Sequence, residues 1–167
     1  MIHHDLKKLT LTPSLLERLI DDNPGVSWEE RQENRWGITQ LIDALRKDLE
    51  NLLNTRLGLR EDIPDDFQES KASLLMYGVP DLTVFNRNSA QDRRSLVQLI
   101  EKTVRTFEPR LKHVRVFYRD GGGNKLFEKQ LHFTIEGVLL IEPAQERVVF
   151  DTQLELNSGT YKIEGVS

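Results

Sequence analysis

Two kinds of chemistry can be sought among the ionisable side chains of this sequence. The first is hydrolysis by paired carboxylates, in which an apolar pocket keeps one acid protonated while the other stays ionised about 5–9 Å away, as glycoside cleavage requires. Glu108, Glu136, Glu142 and Glu146 could be offered for such a pair. With 27 acidic residues in the chain, however, some pair is always at hand, and no spacing singles one out. The second kind is ionic recognition. Glu108, Pro109 and Arg110 set an acid and a base on either side of a proline, where a helical pattern gives way to an alternating one. Proline lacks an N–H donor and disfavours helix at the residue before it, so the helix has to end at Glu108 and the chain has to leave extended. In an extended segment side chains two apart point the same way, which sets carboxylate beside guanidinium. A glutamate at a helix C-terminus opposes the helix dipole, whereas Arg110 is favoured there. A local ion pair that closes the helix therefore explains the arginine better than the glutamate. The other reading is a bidentate site presented to a matching arginine or glutamate on another protein.

Other motifs give less. His3, His4, His113 and His132 have no metal-ligand spacing, and the chain has no cysteine, so no metal or other cofactor is expected. The absence of thiols suits a reducing compartment, and the cytoplasm is the expected location. The segment "DGGGNK" at 120 to 125 lacks the Gly-Lys-Ser/Thr ending of a phosphate loop and leads into a strand pattern, so it reads as a hairpin turn. The 23 basic and 27 acidic residues are interleaved, giving a net charge of -4 and no basic block that would mark a nucleic-acid partner. The start, "MIHHDLKKLTL", is not a secretory signal, and the longest apolar run noted is "VLLI" at 138 to 141, so direct membrane insertion is not expected.

The elements that would position these residues read as an α+β chain. Residues 1–37 form an N-terminal part: a short helix capped by Thr12, with Leu15, Leu16, Leu19 and Ile20 on its apolar side, then a polar arm carrying Trp28 and Trp36. Residues 38–167 form one domain. Its strongest helix covers 38 to about 56, with Ile38, Leu41, Ile42, Leu45, Leu49, Leu52 and Leu53 at helical spacing and Gly58 placed for a left-handed cap. Residues 59–88 read as an irregular contact segment with one helical turn near "ASLLMY". A second helix, 90 to 107, has Ser89 as its N-cap, Asp92 in its first turn, and Leu96, Val97, Leu99, Ile100, Val104 and Phe107 facing inward. Alternation then sets in, predicting a three- to four-stranded antiparallel meander with the helices packed on one face. Its last strand, rich in Thr, Tyr and Ile and carrying Tyr161, reads as an edge, and an uncovered edge can pair with a partner strand.

Five segments in order, "PSLLERLIDDNP", "LRKDLENLLNTR", "SLLMYGVPDLT", "IEKTVRTFEPRL" and "VVFDTQLEL", resemble the TssE family of baseplate wedge subunits of bacterial type VI secretion systems, which is similar to the tailed-phage wedge protein historically labelled lysozyme-like. The resemblance implies a non-enzymatic assembly role: binding the core bundle formed by TssF and TssG, with TssK in the same wedge complex, and helping to start the contractile TssB–TssC sheath. It implies a baseplate docked through its partners at the inner face of the inner membrane, with the family's Glu-Pro-Arg motif falling on Glu108, Pro109 and Arg110, and a C-terminal sheet similar to the strand-exchanging part of a sheath subunit, which implies candidate edge contacts at Val148, Phe150, Leu154 and Tyr161. Met76 departs from the pattern, standing where relatives carry an asparagine. The alternatives from other classes are a peptidoglycan-cleaving muramidase, as the lysozyme label implies, and a free-standing ligand-binding module.

Overall fold

The computed structural model describes Leu19, Pro24, Gly25 and residues 37–58, 66–71, 73–80, 89–119, 130–141, 144–155 and 157–166. The chain divides into two compact units, Met1–Leu45 and Arg46–Ser167. In the first, Leu19 is helical and 72% exposed, while the rest of the expected first helix and the tryptophan arm lie outside the described residues. Helix α1, Ile38–Asn54, starts in this unit. The Gly37 N–H donates to Gln40 Oε1 at 2.9 Å, satisfying one of the donors that a helix start leaves free. Leu41, Ala44 and Leu45 are buried, but Ile38, expected inward, is exposed at the first position of the helix.

The second unit begins in the middle of α1, where Leu49, Leu52 and Leu53 continue the apolar stripe and are buried. The helix ends at Asn54 instead of 56, because side chains meet its last carbonyls: Thr55 Oγ1 donates to Asn51 O at 2.7 Å and Arg56 Nη1 to Leu53 O at 3.4 Å. No left-handed cap is needed, and Gly58 is not at positive φ, which corrects the role expected of it. Arg56 instead bridges Val79 in parallel register. Within 59–88 the described residues form helix α2, Gln68–Lys71, and a 3-10 turn, Leu74–Met76, so the single turn expected near "ASLLMY" is preceded by a second.

Helix α3, Ala90–Phe107, keeps its expected bounds. Asp92 N–H donates to the Ser89 hydroxyl at 3.2 Å, the N-cap bond that the sequence predicts. Leu96, Ile100 and Val104 are buried with Thr103, whereas Val97, Leu99 and Phe107 are half-buried. Four strands follow, β1 Leu111–Arg119, β2 Gln130–Ile141, β3 Ala144–Glu155 and β4 Thr160–Val166, in the order β1-β2-β3-β4, each antiparallel to its neighbour. Ala144, Gln145 and Glu146, expected in a turn, belong to β3 and pair with the end of β2. The turn expected at 120 to 124 lies outside the described residues.

Alternation gives the sheet one apolar face, formed by residues such as Val116, Phe133, Ile135, Phe150, Leu154 and Tyr161, all buried. The other face carries cross-strand ion pairs, including Arg147–Glu136 at 2.8 Å and Arg119–Asp151 at 3.2 Å. Tyr161 is fully buried, and its hydroxyl has no hydrogen-bond partner among the described residues. Burial pushes its phenol pKa well above the ordinary tyrosine range. A buried hydroxyl without a partner carries a desolvation cost and no return. Tyr161→Phe is therefore expected to raise stability by ~1 kcal/mol, read as a higher urea midpoint with an unchanged slope.

Candidate interaction site at the helix-to-strand joint

The joint is built from the end of α3. Glu108 N–H closes the last helical bond, to Val104 O at 2.9 Å, and Glu108 then leaves helical geometry at φ -118 and ψ 79. Leu111 N–H returns to Glu108 O at 3.2 Å, so Pro109 and Arg110 are the centre of a tight turn. This corrects one step of the sequence reading: the two charged side chains meet across a turn, not along an extended segment. The Glu108 carboxylate draws the turn together, accepting from the Arg110 backbone N–H at 3.2 Å, from Arg110 Nε at 2.8 Å and from Nη2 at 2.7 Å. The last two bonds reach different carboxylate oxygens, making a bidentate fork.

Burial divides the pair unequally. The Glu108 side chain is 7% exposed and that of Arg110 30%. Glu108 is therefore turned inward to its arginine and is not itself presented. Arg110 Nη2 also binds Asp48 Oδ2, on α1, at 2.5 Å, and Asp48 is 34% exposed. The hydrogen bonds that Arg110 donates to Glu108 hold the Arg110 pKa above its ordinary value against the opposing effect of burial, and Asp48 adds to the rise. Tyr77 lies beside these charges: burial first, then Asp48 and Glu108, push its phenol pKa up. Its ring meets Phe107 edge-on at 5.4 Å between centroids. The site thus holds two members that the sequence reading missed. Asp48 stands in the amphipathic run "LRKDLENLL", and Tyr77 in the quoted "SLLMYGVPDLT"; nothing in either segment alone points to the other.

The edge expectation is overturned for β3. Val148, Phe150 and Leu154 belong to a strand with neighbours on both sides, and all three side chains are buried. Tyr161 is on the outermost strand, but its backbone N–H donates to Asn54 Oδ1 at 2.8 Å and its carbonyl accepts from Asn54 Nδ2 at 2.9 Å. The sequence shows that late strands exist; the order in which they pair decides which of them is an edge.

Of the offered carboxylates, the described ones, Glu108, Glu136 and Glu146, are not brought together in a pocket. Glu136 pairs with Arg147 on the solvated face, Glu146 opposes Leu139 at the exposed end of β3, and Glu142 lies outside the described residues. His113 is exposed at φ 53, and no cluster among the described residues could hold a metal ion. An open groove of about 430 Å³ beside α3 and β1 is lined by Arg93, Arg94, Val97 and Tyr118, with the Arg93 guanidinium 5.4 Å from the Tyr118 ring centroid. Among the described residues no helix is long and apolar enough to cross a membrane.

Residues 39–144 match the family model of baseplate wedge protein gp25, a stretch that runs from α1 into β3 and encloses the whole joint. No curated protein matches the sequence. Among solved structures, the chain is similar to one chain of the baseplate complex from the type VI secretion system, with 18% identity and a TM-score of 0.47 over 69% of this chain and 94% of that one.

Proposed function

The chain belongs to the baseplate wedge protein gp25 family, and from that premise we propose that it is a non-enzymatic subunit of a type VI secretion baseplate wedge, docking on the TssF–TssG core bundle through the Glu108-Pro109-Arg110 joint. A structural part in a baseplate is what the family supplies. The type VI assignment rests on the five ordered motifs, two of which contain Asp48 and the Glu-Pro-Arg triplet. In this reading TssK shares the wedge complex, TssB and TssC form the sheath whose assembly the subunit helps to start, and the baseplate sits on the cytoplasmic side of the inner membrane.

The observation that carries the docking reading is the geometry of the joint. Glu108 fixes Arg110 through both oxygens, and Asp48 holds it from the neighbouring helix, so the guanidinium is set in place before any partner arrives. Pre-organised charge loses little side-chain entropy on binding. Arg110 and Asp48 each keep about a third of their surface open. Two carboxylates against one guanidinium leave one excess negative charge, which favours a basic group on the partner and weaker binding as salt rises.

The test is co-purification of the TssF–TssG wedge with the wild-type chain and with the double variant Glu108→Ala/Arg110→Ala. Removing both members leaves no buried carboxylate without its counter-charge, so this variant should fold where a single truncation is strongly destabilised. Circular dichroism checks the fold. The expected result is a folded double variant whose wedge affinity is lower by roughly 2–5 kcal/mol. A folded double variant that binds as well as wild type would show that the joint only closes helix α3.

A further inference from the structure

Where α3 runs beside the outer edge of β1, two sequence periods meet. Arg105, Glu101 and Val97 are four apart on one side of the helix, and Val114, Val116 and Tyr118 are two apart along the strand. The first two steps of this ladder are closed: Arg105 donates to Val114 O through Nε at 3.2 Å and Nη2 at 2.8 Å, and Glu101 Oε2 accepts from Val116 N–H at 3.2 Å. At the third step the helix offers only a valine. The backbone groups of Tyr118 turn outward like those of Val116, two residues before, and no described side chain bonds them. The open groove lined by Val97 and Tyr118 is what the missing step leaves.

The groove is apolar and basic. Ala90, Val97 and Tyr118 supply the apolar part, Arg93 and Arg94 the charge, and no acidic side chain lines it. The Arg93 guanidinium lies 5.4 Å from the Tyr118 ring centroid, and that ring meets the buried Phe133 edge-on at 5.9 Å, so this wall is in place before anything binds. Arg94 is exposed. Arg46, Arg105, Arg110, Arg119 and Arg147 each meet a carboxylate of their own chain, whereas no described acid pairs with Arg94. In a chain of net charge -4, a basic groove holding such an arginine fits a carboxylate brought by another molecule.

Shape decides what carries that carboxylate. A groove this open, of about 430 Å³, leaves a small molecule largely in water, whereas small-molecule sites bury most of their ligand. A segment of a protein brings its own cover. The outward N–H and carbonyl of Tyr118 suit one residue of its backbone, and Glu101, bonded to Val116, stops a strand from continuing past that residue. We propose that the groove between α3 and β1 docks an acidic segment of a partner protein, with an aliphatic side chain resting on Val97 and Tyr118 and an adjoining carboxylate paired with Arg94. Arg94 and Glu108 stand roughly 20 Å apart along α3 at 1.5 Å per residue, so this contact is separate from the docking read at the joint.

The full chain tests this with a synthetic peptide carrying Glu-Leu-Glu in a Gly-Ser frame. Amide NMR spectra recorded during the titration should show shifts centred on Arg93, Arg94, Val97 and Tyr118. Arg94→Glu, a change at an exposed position that should leave the circular dichroism unaltered, is expected to weaken peptide binding by about tenfold or more. Peptides carrying Gln-Leu-Gln or Glu-Ser-Glu should bind more weakly to wild type, the first for want of charge and the second for want of an apolar anchor. Glu108→Ala/Arg110→Ala leaves the groove untouched and should bind the Glu-Leu-Glu peptide like wild type. The proposal is overturned if the shifts lie elsewhere or are absent, or if binding is indifferent to Arg94→Glu or to the loss of the peptide's carboxylates. Displacement of the peptide by an equal concentration of citrate would make this a small-anion site, and a wild-type dimer that Arg94→Glu dissociates would give the groove to a second copy of the chain; either result also overturns it.

Discussion

Arg110→Ala is expected to lower the stability of the chain by ~3–5 kcal/mol, far more than the loss of a surface ion pair. The reason lies in the partner left behind. Glu108 is 5% exposed, and two of the hydrogen bonds to its carboxylate come from the Arg110 side chain. Without that side chain only the backbone N–H of residue 110, now 3.2 Å away, remains of the donors described. A carboxylate so placed must keep its charge uncompensated, take up a proton, or pull the turn open to reach water, and each route costs stability. Asp48→Asn touches the same arginine from a side that is 34% exposed and should cost about 1 kcal/mol or less. Glu108→Ala/Arg110→Ala should fall between the two. Urea denaturation of wild type and these three variants gives the order, and once Glu108→Ala completes the double-mutant cycle, a coupling between Glu108 and Arg110 of more than ~1 kcal/mol is the sign of a desolvated pair. If Arg110→Ala cost no more than Asp48→Asn, the joint would be a surface pair and its pre-organisation would have no energetic basis.

What could be read from the sequence was what neighbouring residues decide among themselves. Ser89, Asp92 and Glu108-Pro109 fix both ends of α3, because caps and proline act within one turn of chain. Strand alternation from Leu111 onward is similarly local, and it gave the meander and its buried face. The errors arose where a distant segment supplies the deciding partner. Gly58 looked like a helix cap because the sequence does not show Thr55 and Arg56 bonding the α1 carbonyls. Val148, Phe150 and Leu154 looked like edge residues because the position of β4 is a matter of topology. The Glu-Pro-Arg triplet was recognised as an ion pair, but its third member, Asp48, is 62 residues away in the chain. Tyr77 reaches the same site through a loop whose sequence has no sustained period. Asn54 reads as an ordinary residue at a helix end, although its amide spans 107 residues to meet Tyr161. Local rules thus place the ion pair, while tertiary contacts decide which way it faces.

Gly78→Ala tests that long-range dependence at the other margin of the site. Gly78 has φ +113, a conformation that side-chain-bearing residues rarely adopt, and a Cβ there would lie 2.4 Å from Thr55 O and 2.9 Å from Thr55 C. Neither atom is a movable side-chain end; both belong to the backbone where α1 ends. The same carbonyl accepts from Val79 N–H at 2.9 Å, and Val79 O accepts from Leu57 N–H at 2.9 Å, so the clash falls inside the bridge that ties this segment to α1. Backbone strain costs ~1–3 kcal/mol, and forcing atoms into a packed contact costs a further ~1–3 kcal/mol. The expected loss is therefore comparable to that of Arg110→Ala, though its origin is steric. Gly58→Ala is the control, since a Cβ there meets nothing within 4 Å and φ is not positive; it should leave stability unchanged or raise it by about 0.4–1 kcal/mol. Thermal denaturation separates the two substitutions. Because Tyr77 precedes Gly78 and lies beside Asp48 and Glu108, displacing this turn should also shift the Tyr77 titration toward the ordinary tyrosine value. A Gly78→Ala protein that melts with wild type would mean that the segment yields freely, and that Tyr77 is not held at the joint by the bridge behind it.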